Sequence, residues 1–125
     1  MTALSKEVIE AWEEHVGPTA LATVGADGGP NVVYATCVRL LDETRFIIAD
    51  NFFSKTRDNV LNGSKGALLF ITKEDKAYQI KGNFEYHRDG EPFDHMKTWN
   101  PSHLPGNAAV VMHIEEVFSG AEKLG

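Results

Sequence analysis

RFIIADNFFSKTRDNVLNG, residues Arg45–Gly63, joins an apolar strand to a short helix through a polar, aromatic turn. The apolar run Phe46–Ala49, with β-branched Ile47 and Ile48, favours an extended backbone. Asn62-Gly63 gives the stop signal for a helix that starts near Lys55. Ser54, Lys55 and Thr56 therefore gather two hydroxyls, an ammonium and helix-start amides that lack intrahelical partners. That set suits a phosphate monoester, because the helix dipole favours an anion and lysine adds a full charge. The same residues also admit a plainer reading, in which Ser54 only caps the helix and Lys55 and Arg57 are solvated.

Outward from this stretch, the period of apolar residues defines the remaining elements. Near the start, Leu4 and Ile9 straddle Ser5 as a hydrophobic staple, and Val8, Ile9, Trp12 and Val16 share one helical face that Gly17-Pro18 ends. Lys6, Glu7, Glu10, Glu13 and Glu14 form a solvated opposite face. TALATV and NVVYATCVRL read as two strands joined by the hairpin GADGGP, where Asp27-Gly28 tolerates positive φ. Asp42-Glu43-Thr44 turns the chain into RFIIAD. Downstream, the unbroken apolar run GALLFIT predicts a strand buried on both faces. After the turn KEDK, the strand AYQIKGNFEYHR alternates, DGEP closes it, PFDHMKTWN is helical, and NAAVVMHIEEVF is the last strand. Six strands with two inserted helices predict a mainly β fold: a six-stranded antiparallel barrel with short flanking helices, as one domain over 1–125.

Composition excludes several function classes. With 42% hydrophobic and 24% charged residues over 125 positions, the chain reads as a globular, cytoplasmic protein with no apolar run long enough for a membrane span. A net charge of -6 leaves no basic surface for nucleic acid. The one cysteine, Cys37, has no internal disulfide partner and is expected as a small buried hydrophobe. His15, His87, His95, His103 and His113 show neither an HExxH motif nor paired short spacing, so no metal site is expected.

Three segments, LATVGADGGPNVVYA, FIIADNFFSKTRDNVLNG and YQIKGNFEYHRDGEPF, together with the closing NAAVVMHIEEV, carry a resemblance over about residues 5 to 118. In this order the chain resembles the pyridoxamine 5'-phosphate oxidase-like FMN-binding split barrels, and among them the small bacterial FMN-binding proteins. The resemblance implies a split barrel that holds FMN, with the flavin phosphate on Ser54, Lys55 and Thr56. It implies an isoalloxazine against Val33, Tyr34, Ala35 and Thr36 on one side and Ala49, Asp50 and Asn51 on the other. Backbone groups there would meet the ring's N3–H and carbonyls, and Ala35 and Ala49 leave the space. Asp50 and Asn51 would tune its potential at the pyrimidine edge.

The resemblance further implies a homodimer with the flavin at its interface. Trp99 is then the candidate aromatic cover from the second subunit, or else a core anchor for its own helix. Gln79 and Lys81 would reach the phosphate or ribityl chain from the partner, or else form a solvent-facing alternation. The oxidase proper ends in an arginine-rich segment, whereas this chain ends HIEEVFSGAEKLG, so oxidation of pyridoxamine phosphate is not expected. Deazaflavin-using relatives favour basic grooves, which the charge of -6 opposes. Two classes follow: a flavoprotein oxidoreductase moving electrons or hydride to a small-molecule or protein redox partner, or a non-enzymatic module that stores FMN or makes protein contacts.

Overall fold

A computed structural model describes residues 2–125. Helix α1, Lys6–Glu13, begins where the Ser5 hydroxyl accepts the Val8 amide at 3.4 Å. It buries Val8, Ala11 and Trp12 and ends before the predicted Gly17-Pro18 stop, because β1 starts at once, at His15, and runs to Val24. Pro18 is tolerated inside this strand because the β1 register shifts between Val16 and Ala20, a bulge in which no ladder amide is required. Val16 consequently lies in the strand opposite Ile71, largely exposed, and not on the helix face.

The hairpin to β2, Pro30–Ala35, turns through Gly28 at φ +84 and pairs Val24 with Pro30 through Thr19 with Ala35. The predicted long second strand breaks at Thr36-Cys37, and β3 spans Val38–Asp42. Then come β4, Arg45–Asp50, helix α2, Lys55–Leu61, β5, Lys65–Thr72, and β6, Ala77–His87. Helix α3, Gly90–Trp99, leads to β7, Ala108–Ser119, and the two-residue β8, Glu122–Lys123. Among the described residues eight strands replace the expected six, through the break at Thr36-Cys37 and the added β8. The class holds: this is a mainly β, antiparallel split-barrel fold with three short helices.

The hydrogen-bonded order is β2-β1-β5-β6-β7-β4-β3, with β8 on β7. All seven principal strands send one face into a shared core that includes Leu21, Ala35, Val38, Phe46, Ile48, Leu68, Phe70, Ile80 and Met112. The sheet is therefore rolled about its own interior. Its two edges, β2 and β3, are neighbours in sequence but do not pair, so the barrel is split along the Thr36-Cys37 link.

Helix α3 covers the outer face of β4 and β7, giving a second small core of Ile47, Ala49, Met96 and Ala109 with Phe93 and Trp99 against it. That cover explains why β4 and the first half of β7 are buried on both faces. Among the described residues no helix covers β5 on its outer side. The GALLFIT run therefore alternates, with Leu68, Phe70 and Thr72 buried but Leu69 and Ile71 exposed, contrary to the two-sided burial its composition predicts.

Closure of the barrel requires close approach of β6 to β7 at the register shift between Lys81 and Gly82. A Cβ on Gly82 would lie 2.0 Å from the carbonyl oxygen of His113, a backbone atom that no rotamer change can move. Gly82→Ala is expected to cost about 3 kcal/mol of stability, the scale of overpacking a rigid interior. Urea denaturation measures it, and a variant as stable as the parent would show that the strands can separate there without loss.

Candidate functional site

The split between β2 and β3 opens into a cleft of about 350 Å³, at the lower end of the ~300–1,000 Å³ typical of small-molecule pockets. One wall is Val33, Tyr34, Ala35 and Thr36; the facing wall is Ala49, Asn51 and the turn Phe52-Phe53; the far end is Ser54, Lys55 and Thr56. Nine of the thirteen residues singled out in the sequence thus line one cavity. Ala35 and Ala49 are both buried in its walls.

The polar end is built with spare hydrogen-bonding capacity. Ser54 occupies the N-cap position of α2, yet its side chain makes no capping bond, and its hydroxyl has no hydrogen-bond partner among the described residues. Thr56 is buried, and its Oγ1 accepts Asn31 Nδ2 at 3.0 Å, which leaves its own O–H to donate. Asn31 also donates to Thr23 Oγ1 at 3.2 Å, and Asn59 donates to the same oxygen at 3.0 Å, so the cradle is fixed to β1 from behind. Lys55 has no ion-pair partner within 4.0 Å among the described residues.

Asp50 lies outside the cleft lining. Its side chain, fully buried, accepts Arg57 Nε at 2.7 Å, Arg57 Nη2 at 3.1 Å, the Tyr86 hydroxyl at 2.5 Å and the Phe53 amide at 3.0 Å. Burial by itself would raise its pKa, but the bonds from Arg57, Tyr86 and Phe53 outweigh that and hold the carboxyl below its usual range. Burial and the bond to Asp50 push the Tyr86 phenol up. Arg57, which the plainer reading leaves solvated, is thus committed to this network.

Asn51 does line the cleft, but its side chain is occupied behind it. It exchanges two amide bonds with Asn100, at 3.1 and 2.9 Å, and accepts the Gly106 amide at 2.9 Å. Asn107 adds bonds to the carbonyls of Asp50 and Asn51, at 2.8 and 3.2 Å. These contacts hold the segment 100–107, which brings Leu104 to the cleft.

Gln79, Lys81 and Trp99 are not part of the cleft within one chain. Gln79 pairs with Leu69 and Phe118, and the Lys81 ammonium lies 5.1 Å from the Phe118 ring centroid. Trp99 packs on the core beneath α3 and donates from Nε1 to His95 Nδ1 at 3.1 Å. Cys37 is half-buried in the cleft wall, because the strand break there keeps it from the barrel interior. Asn31, Phe52, Phe53 and Leu104 are cleft residues that the sequence reading does not name. The Phe52-Phe53 pair at the end of a strand was a usable signal for two of them. Leu104 had none, since the contacts of Asn100, Gly106 and Asn107 with Asp50 and Asn51 bring it there.

Residues 5–119 match the family model described as pyridoxamine 5'-phosphate oxidase. A curated relative, an uncharacterized protein of Methanocaldococcus jannaschii, is 34% identical over 122 residues, 93% of this chain and 80% of the relative. Among solved structures, Group A Streptococcus HupZ superposes with a TM-score of 0.83 at 26% identity, over 98% of this chain and 99% of that one. An FMN-binding protein from Syntrophomonas wolfei shares the fold with a TM-score of 0.75 at 20% identity, over 95% and 92% of the two chains.

The Asp50 network makes stability depend on pH in a defined direction. A carboxyl whose folded pKa lies below the unfolded value of about 3.9 stabilises fully above that value and loses its contribution as pH falls through the folded one. Asp42, held down to about 2 by the Arg45 hydrogen bond, shares this behaviour, so the informative quantity is a difference between variants. Asp50→Asn is expected to lose about 3 kcal/mol at neutral pH, by leaving Arg57 without its counter-charge, and to lose less than the parent on acidification. Urea titrations at neutral pH and near pH 3 measure both; equal acid losses would assign the effect to other carboxyls.

Proposed function

The chain belongs to the pyridoxamine 5'-phosphate oxidase family, and on that footing we propose that it binds FMN in the cleft at the barrel split and moves electrons or a hydride through it. The observation that carries this reading is the set of unspent groups at one end of the cleft: the free Ser54 hydroxyl, the Thr56 O–H and the unpaired Lys55 ammonium. Hydroxyl and ammonium donors together fit a phosphate dianion better than a neutral ligand. Small walls at Ala35 and Ala49 suit a flat ring system, and the exposed Tyr34 and Phe52 flank the opening. Likeness to an FMN-binding protein supports the same cofactor.

When bound, the flavin supplies the redox chemistry; the chain supplies binding, orientation and exclusion of water. Ser54, Lys55 and Thr56 would hold the phosphate, while backbone groups of β2 and of Ala49 would orient the ring. The electron partner in this reading is a small molecule or a protein.

We propose further that two copies pair through the uncovered sheet face. Tyr34, Ala20, Leu69 and Gln79 fall in one cross-strand row on that face, and Val32, Ala22, Ala67 and Lys81 in the next. Val32 is 67% and Tyr34 78% exposed in the single chain, and both belong to an edge strand paired on one side only. Such a surface favours a closed twofold pair. Gln79 and Lys81 would then face the second copy, the position from which either can approach its cofactor.

Lys55→Ala is expected to weaken FMN about tenfold or more, the scale of a lost charge-assisted hydrogen bond, and to leave riboflavin affinity nearly unchanged. Fluorescence titration with both ligands decides it; equal parent affinities for FMN and riboflavin would refute the phosphate assignment. Light scattering at micromolar concentration is expected to give twice the 13.8 kDa chain mass. A single-chain mass would refute the pairing.

A further inference from the structure

Thr56 is 2% exposed, and its Oγ1 accepts an amide N–H from Asn31 at 3.0 Å. Its own proton has no acceptor among the described residues. A hydroxyl sealed from water has lost its hydration, so an unspent O–H in the cleft wall calls for an acceptor on whatever fills the cleft. Where that proton faces depends on the bond the oxygen already holds.

That bond belongs to a closed circuit of four side chains on three elements. The antiparallel register sets Asn31 of β2 opposite Thr23 of β1. Asn31 donates from Nδ2 both to Thr56 on α2 and, at 3.2 Å, to Thr23. Asn59, one turn beyond Thr56 on the same helix, donates to the Thr23 hydroxyl at 3.0 Å and closes the circuit. Thr23 and Asn59 are buried outside the cleft lining, whereas Asn31 and Thr56 belong to it.

An amide NH2 carries two protons, and Asn31 spends both, so turning its side chain breaks two bonds at once. The Thr56 oxygen thus meets a fixed donor on its β2 side and cannot send its own proton there. Lys55 adds charge but little direction, since its ammonium rotates on a flexible stem. A ligand ending in a hydroxyl can accept from Thr56, but it brings a proton of its own that an ammonium cannot receive.

We propose that Asn31, held by Thr23 and Asn59, is the positioning residue of the phosphate end. It keeps the Thr56 hydroxyl turned toward the ligand as a donor, and so makes the cleft select a phosphate monoester over the same ligand ending in a hydroxyl. This deepens the flavin reading and rests on it for the identity of the monoester, while the circuit acts on the phosphate group itself.

The test is a double-mutant cycle on Asn31 and Thr56 in the full chain. Dissociation constants are read for FMN and riboflavin by fluorescence and for inorganic phosphate by amide NMR. Thr56→Val is expected to weaken FMN about tenfold and Asn31→Ala about fivefold, with riboflavin held within about twofold of the parent. The double variant is expected to bind FMN no more weakly than Thr56→Val alone, because Asn31 acts only through the Thr56 hydroxyl. In a Thr56→Ser background, which keeps that hydroxyl, Asn31→Ala is expected to regain its cost. Asn59→Ala, outside the cleft, is expected to weaken FMN about threefold and spare riboflavin, and it reports on the circuit should Asn31→Ala fail to fold. Losses that multiply in the double variant would put the Asn31 amide on the phosphate directly, and equal losses for FMN and riboflavin would make it a structural pin; either result overturns the proposal. If the parent takes up phosphate but no flavin, the cofactor reading falls, and the same cycle read with phosphate still judges Asn31. If it takes up neither, both fall.

Discussion

A carboxylate sealed from water has to find its counter-charge inside the protein, and the Asp50 side chain does so on three elements at once. Arg57 comes from α2, Tyr86 from β6 and the Phe53 amide from the turn between β4 and α2. Burying the charge is costly, so the arrangement specifies geometry more than it adds stability. It fixes the angle at which α2 leaves β4, and with it the positions of Ser54, Lys55 and Thr56 at the mouth of the cleft. Asn51, one residue on, fixes the opposite rim by holding the segment 100–107. Both rims therefore hang from two adjacent side chains that point away from the cleft.

How well the sequence foretold each element depended on what covered it. β4 and β6 read correctly because their side-chain alternation or continuity matched their surroundings: α3 covers β4, and β6 keeps a plain inward and outward pattern. β5 read wrongly because composition reports that Leu69 and Ile71 are apolar but not whether anything covers them. The stop after α1 was misplaced because Gly17-Pro18 is a breaker for helices and an acceptable bulge for an edge of β1, and local chemistry does not separate the two.

The cleft was legible where it is continuous in sequence. Ser54 to Thr56 and Val33 to Thr36 each carry their signal in adjacent residues, and the resemblance in element order brought the two segments together. What escaped was the direction of side chains on shared backbone. Asp50 follows Ala49 along the same strand, so the pleat turns its carboxylate to the other face, where α2 presents the Arg57 guanidinium. Leu104 escaped for a different reason, being brought in by contacts of residues 100, 106 and 107 with residues 50 and 51 that no local pattern announces.

The placement of the two sheet edges has a consequence for how the chain reaches this state. β2 and β3 follow one another in sequence but end at opposite margins of the sheet, each in a local hairpin, with β1 and with β4, so the two hairpins are joined only through distant pairings. Thr23 must meet Gly66, and Arg45 must meet His113, before the interior closes. Those are long loops to close, and their entropy is lost before the contacts that reward it are made. The topology therefore sets a search dominated by distant pairings, with folding on the order of milliseconds to seconds as in other sheets of this kind. During that interval the apolar margins at Val32 and Tyr34 stand open to other nascent chains, so the same strand that bounds the cleft is where misassembly would begin.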